Sequence, residues 1–171
     1  MLERVLSWAL ALVLSALLLA VSLHQLFGPV PHPVFGLIAA RSGVELLEPY
    51  GRYVAAGLQL TAVVLILWSP ARAVGAGIAA LIAAAAIVMH LTPWLGVFLP
   101  APDLASAALA EGLSASEIDA MGLPTDNGGM FLLVLATLIL AVATLYLEQA
   151  KRRASEPLPP HTPEGAALTR G

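Results

Sequence analysis

The side chains able to do chemistry are few, and most stand at the edges of long apolar runs. Arg52 and Tyr53 offer a fixed cation and a phenol that could meet an anionic group or a quinone carbonyl. His90 closes an apolar run just before Thr92-Pro93. An imidazole there can hydrogen-bond a neighbouring backbone or carboxylate, serve as a ligand, or relay a proton. Gln59 is the polar side chain deepest in an apolar segment, and together with Arg52, Tyr53 and His90 it makes the candidate cofactor-binding set. Glu48, His24, Thr92 and Asp126 form a structural polar set around it. Glu48 precedes Arg52 by four residues and can pair with it on one helix face, which would make Arg52 an interface anchor. Asp126 has the position of a helix cap, its carboxylate accepting backbone N–H bonds. His24 and His90 fall at similar depth on different segments, so axial ligation of a haem is geometrically conceivable, but no other ligands support it and haem is disfavoured. His32 and His161 read as incidental residues of a loop and a tail. These residues assign neither a catalytic group nor a metal site.

The elements that must position them follow from the apolar pattern. Of 171 residues, 59% are hydrophobic and only 11% charged, and the mean hydropathy is +0.88, too apolar for an ordinary soluble domain. The sequence predicts an all-α, polytopic membrane protein. Its bundle of four transmembrane helices covers about 5–26, 48–68, 71–92 and 130–147, each long enough for a hydrocarbon core of roughly 30 Å. The first run is too long for a signal-peptide core and no small-residue cleavage site follows it, so it is read as a retained span. Glu48-Pro49 marks the second span's start, with proline in the first turn, and Ser69-Pro70 breaks the chain before the third. Arg72 sits in that turn. In the third span Gly75, Ala79 and Ala83 share a face, with Ala76, Ala80 and Ala84 beside it, a spacing that lets helix backbones approach closely.

Between spans the chain is proline- and glycine-rich. A stretch from Phe35 to Leu47 is amphipathic, with Phe35, Leu37, Ile38, Leu46 and Leu47 suited to a membrane interface and Arg41 and Glu45 to water. The connection 93–129 carries Asp103, Glu111, Glu117, Asp119 and Asp126 and no lysine or arginine. It is read as a solvated acidic loop holding two short helices, one from Pro102 to about Glu111, the other beginning at Ser114-Ala115-Ser116-Glu117 with capping-box spacing. The membrane domain is therefore 1–150, and 151–171, with four prolines, is expected to be a flexible tail.

Charge sets the orientation. Arg4, Arg72 and Lys151-Arg152-Arg153 fall on one side of a four-span topology, opposite the acidic loop, so the positive-inside rule puts both termini in the cytoplasm. Several function classes drop out. Without cysteine there is no disulfide, thiol redox pair or thiolate metal site. No zinc-protease, Walker, serine-hydrolase or dinucleotide motif is present, the acidic loop lacks EF-hand spacing, and no basic surface suits nucleic acid.

Glu48-Pro49-Tyr50-Gly51-Arg52-Tyr53, Gly57-Leu58-Gln59-Leu60, the Pro70 break, Gly75-Ala76, His90-Leu91-Thr92 and Asp126-Asn127-Gly128-Gly129-Met130-Phe131 occur in an order and spacing that resembles the DoxX-like membrane proteins. The resemblance covers roughly residues 5–150. It implies a four-helix protein of the bacterial inner membrane, in a family named after a small subunit of a thiosulfate:quinone or quinol oxidase system. Two positions depart from the family's pattern. Gln25 stands where a lysine often ends the first span, and Gln59 where the second span often has a glutamate. Direct contact between these two amides is not expected, since Gln59 should lie roughly 15 Å deeper by helix rise.

Three roles compete. An accessory or assembly subunit of a membrane redox or envelope complex, without catalytic activity of its own, follows from the resemblance and the small-residue faces. It would live in the lipid bilayer with a membrane-protein partner or as a homo-oligomer. A quinone-binding oxidoreductase component would use Arg52, Tyr53 and His90. A small transporter or channel ranks last, for want of deep ionisable residues.

Overall fold

The structure is a computed structural model that describes residues 2–154. Among the described residues seven α-helices form: α1 (Leu2–Phe27), α2 (Pro33–Ser42), α3 (Tyr50–Leu67), α4 (Arg72–His90), α5 (Pro102–Ala110), α6 (Ala115–Ala120) and α7 (Gly129–Ala154). Single turns of 3-10 helix precede α3 and α4, at Glu45–Leu47 and Ser69–Ala71. Among the described residues there is no strand, only an isolated bridge between Pro100 and Thr125.

Among the described residues, four helical stretches are long and apolar enough to cross a membrane: Arg4–Phe27, Glu45–Leu67, Ser69–His90 and Gly129–Ala154. They pack as a ring in the order α1, α3, α4, α7, with α7 closing back onto α1. Ala11, Leu14 and Leu18 of α1, Ala62, Val63 and Ile66 of α3, Ala79 of α4 and Ala141 of α7 fill the centre. Only 17–33% of each stretch's most apolar window is buried, so most of its apolar surface faces outward, with Val5, Leu12, Val64, Leu81 and Ile139 among the exposed residues. An apolar belt of that extent suits a bilayer. Two helices come closest at Gly75. A Cβ there would lie 2.7 Å from the Ile66 nitrogen and 2.8 Å from the Ala62 carbonyl oxygen, so α3 and α4 meet backbone to backbone. Gly75, Ala79 and Ala83 are all buried, and this face is spent inside the bundle.

Two expectations about the connections are corrected. The amphipathic stretch becomes α2, and Leu37 and Ile38, expected at an interface, are 0% and 6% exposed in a second apolar core. Leu95, Leu99, Ala105, Ala108 and Ile118 complete that core, so the acidic connection is less a solvated loop than a folded cap. Its apolar residues recur at helical spacing, and α2 gives them a surface to bury. Arg41 ties the cap together, donating to the Trp94 and Leu95 carbonyls and pairing with Asp119 at 2.5 Å. The capping box forms at Ser114 and Glu117. Asp126 caps α7 and also holds the cap, its carboxylate accepting from the backbone N–H groups of Leu99, Gly128 and Met130 at 2.9–3.0 Å.

The last helix differs too. It runs on to Ala154, so Lys151–Ala154, assigned to the tail, are helical. Glu148 and Lys151, three apart, pair at 3.0 Å and favour continuation. The tail expected beyond, with His161, lies outside the described residues.

A candidate ligand cavity beneath the cap

Where the bundle meets the cap, the ring of helices encloses a half-open cavity of about 480 Å³. That is the size of a small-molecule site. Leu18 and Val21 of α1, Ala83 and Ala86 of α4, and Leu133 and Val134 of α7 build its apolar walls, while Phe35, Ile38, Leu47 and Leu95 close it from the cap side. Its exposed lining residues are His24, Val54 and Leu58 of α3, and Ala85 of α4. The apolar side of the opening therefore lies on the flank formed by α3 and α4.

Few polar groups interrupt this surface, and most lack partners. His90 is 3% exposed. Its Nδ1 lies 2.9 Å from the Ala86 carbonyl oxygen, its ring packs against Phe131, and its Nε2 has no partner. Gln25 lines the cavity with an unpartnered Oε1. Gln59 lines it as well, but its Oε1 accepts the Ser22 hydroxyl at 3.1 Å. The two amides thus share one cavity although no hydrogen bond joins them. Thr137 closes the deep end, its hydroxyl turned back to the Leu133 carbonyl.

His32, read from the sequence as incidental, is the main correction. It is 2% exposed, lines the cavity, and neither ring nitrogen has a partner. Its ring stands edge-on between His24 and Phe35, with centroids 5.4 Å from each. Burial, reinforced by the neighbouring charges of His24 and Arg52, lowers its pKa from 6.5 to about 4. At neutral pH the ring is therefore uncharged, with one N–H donor and one bare acceptor. Flanking Pro31 and Pro33 make 29–33 look like an ordinary loop; nothing local reports that it folds inward.

Arg52 and Tyr53 do not line the cavity; they stand behind it. The Arg52 guanidinium, almost wholly buried, pairs with Glu48 at 3.4 Å, donates to the Pro29 carbonyl and the Tyr53 hydroxyl, and lies over the Tyr53 ring. Glu48 in turn accepts the His32 backbone N–H at 3.2 Å. Arg52 and Glu48 thereby hold the loop that carries His32 and act on the cavity through it. Thr92 is bound to the Met89 carbonyl at the end of α4, outside the cavity lining. Among the described residues no group of three His, Cys, Asp or Glu could hold a metal ion.

A second buried polar cluster lies at the opposite end, where both termini of the bundle meet. Arg72, expected in the turn, instead opens α4 and is 1% exposed. It donates to the Ile66 carbonyl and the Ser7 hydroxyl, lies 3.4 Å from Glu148, and stacks on Trp8. Ser7 also donates to Glu148, and so does Lys151. This knot draws together α1, α4, α7 and the end of α3. It requires four helix ends to converge, which no local signal in the sequence announces.

The site defines a helical protein with an apolar cavity and a sparse polar end. No family model, curated protein or solved structure matches the chain.

Proposed function

We propose that this is a membrane-embedded binding protein that takes a lipophilic ligand of the quinone class into the cavity beneath the cap. One observation carries the reading: His90, His32 and Gln25, each with a buried polar atom that has no partner, line a cavity whose walls are otherwise nearly all apolar. An unmet polar group in such a place costs free energy, and a polar head bound there would recover it. The flank of Val54, Leu58 and Ala85 supports access from lipid rather than water, as a membrane-dissolved ligand needs. With both termini cytoplasmic, as the basic residues imply, the cap lies on the outer side of a bacterial inner membrane. The DoxX-like motifs belong to this proposal as a resemblance and agree with quinone-linked redox work.

An accessory role within a larger complex is the second reading. The face formed by Gly75, Ala79 and Ala83 no longer supports it, being buried inside the bundle. Gly57 and Gly77, where an added Cβ would meet nothing within 4 Å, leave room for a partner helix instead.

Purification from native membrane in mild detergent, with mass spectrometry of the organic extract, tests the first reading. A stoichiometric quinone that disappears in Ala86→Phe, which fills the cavity, supports it. Bulk phospholipid alone in the wild-type extract refutes it, and reproducible co-purifying membrane proteins would then favour the accessory role.

A further inference from the structure

Six large apolar side chains stand exposed where the cap meets the bundle. Phe27 ends α1, Leu46 and Tyr50 flank the start of α3, Leu91 follows α4, and Trp94 and Phe98 lie in the connection beyond it. They are 43–81% exposed. Phe98 also reaches the fourth span, since a Cβ at Gly128, just ahead of α7, would lie 3.6 Å from its ring. The six therefore make a collar at the cap-side ends of all four spanning helices. Among their neighbours in sequence Glu45 is the one exposed charge, whereas α5, α6 and the turn between them expose Asp103, Glu111, Glu117 and Asp119. The cap is thus apolar along its junction with the bundle and acidic on its own helices.

Trp8, Trp68 and Tyr146 are exposed at the opposite end of the bundle. From Trp8 to Phe27 along α1, and from Tyr50 to Trp68 along α3, the helix rise comes to about 27–28 Å, close to the roughly 30 Å of a hydrocarbon core. Two separate helices set the same spacing. Tryptophan and tyrosine favour the boundary of such a core, with the ring against acyl chains and the N–H or O–H among headgroups. We propose that the collar is a lipid-binding surface that seats the base of the cap in the headgroup layer of its own leaflet, rather than leaving the cap standing in water. The cavity mouth then has a fixed depth. Val54 and Leu58 lie about 6 and 12 Å below Tyr50 on α3, and Ala85 about 9 Å below Leu91 on α4, so the mouth opens among the upper acyl chains of that leaflet. The inference rests on the membrane part of the reading above, not on the identity of the ligand.

The chain has 3 tryptophans, so Trp8→Phe with Trp68→Phe leaves Trp94 as the reporter in the collar. The full chain is reconstituted in phosphatidylcholine vesicles, and its emission is followed with lipid brominated on the upper acyl chain and with aqueous iodide. Trp94 should lose most of its emission to the brominated lipid and less to iodide. Stronger quenching by iodide places the cap in water and overturns the inference. Quenching by neither means that a protein, a second copy included, covers the collar, and overturns it too. A reference protein with all three tryptophans replaced by phenylalanine and Leu81→Trp, at a position 72% exposed in the middle of α4, separates the two readings. Lipid quenching there with none at Trp94 leaves the membrane reading standing, and no lipid quenching at either position removes both. Should the tryptophan variants not fold, the absence of cysteine makes Leu91→Cys a unique site for a spin label, whose collisions with oxygen should exceed those with a water-soluble nickel chelate. The reverse order overturns the inference.

Discussion

Consider replacing Glu148 by leucine. Glu148 and Arg72 have side chains 12% and 2% exposed and lie 3.4 Å apart. Removing the carboxylate strands a guanidinium where water does not reach. Breaking a buried pair in this way costs about 3–5 kcal/mol, because the remaining charge loses its compensation. Arg72 would keep the Ile66 carbonyl, the Ser7 hydroxyl and the Trp8 face, which places Glu148→Leu near the lower bound, at about 3 kcal/mol. Arg72→Leu should cost less, about 2 kcal/mol, since Glu148 retains Lys151 and Ser7 and is the more exposed partner. The double variant strands neither charge, and apolar replacement of a buried pair is often close to neutral, so it should cost only about 1–2 kcal/mol. Independent effects would instead sum to about 5 kcal/mol, and the shortfall of about 3–4 kcal/mol is the coupling. Equilibrium unfolding in mixed detergent, followed by circular dichroism, measures all four proteins. A double variant that costs the full sum to within about 0.5 kcal/mol would refute the pairing of these two charges.

Gly75→Ala forces a methyl onto the α3 backbone and should destabilise by about 1–3 kcal/mol, whereas Gly77→Ala meets open space and should be neutral or stabilising by up to about 1 kcal/mol; equal melting shifts would contradict the close approach. His32 has a folded-state pKa of about 4 against 6.5 for a free histidine side chain, so the unfolded chain binds more protons between those limits. Its contribution to stability is therefore full above pH 6.5 and is lost as pH falls towards 4. Allowing for solvent screening in a half-open cavity, that is about 2–3 kcal/mol, and His32→Phe should remove this part of the slope in melts across the range. Asp126→Ala removes one carboxylate from three backbone N–H groups of two segments and should cost about 2–3 kcal/mol, with faster amide exchange at Leu99 and Met130 than elsewhere in the cap. Unchanged exchange at those two amides would show that the carboxylate does not hold the cap to α7.

The helical spans were legible because their signal is local. Twenty or so apolar residues bounded by Glu48-Pro49, Ser69-Pro70 or His90-Leu91-Thr92-Pro93 can hardly be anything else, and the helix ends fall within a few residues of those marks. The Ser114–Glu117 box, the Glu48–Arg52 pair and the Asp126 cap were legible for the same reason, each acting over two to four residues. Of the candidate cofactor-binding set, the fold brings Gln59 and His90 to the cavity and leaves Arg52 and Tyr53 behind it. Helix periodicity can place a residue at a depth. Whether it faces the cavity or a neighbouring loop depends on the rotation of the helix against three others.

The sequence by itself determined an all-helical chain, four stretches able to span a membrane, and the turns between them, since hydrophobic length and proline placement act on the backbone where they stand. Only the tertiary structure decided that Ser7, Arg72 and Glu148 form one buried knot across 141 residues of chain. It also folded the acidic connection into a cap and turned His32 inward to face the cavity with Gln25, Gln59 and His90. These are contacts between segments distant in sequence. They form because several helices and loops must bury their polar side chains against one another at once.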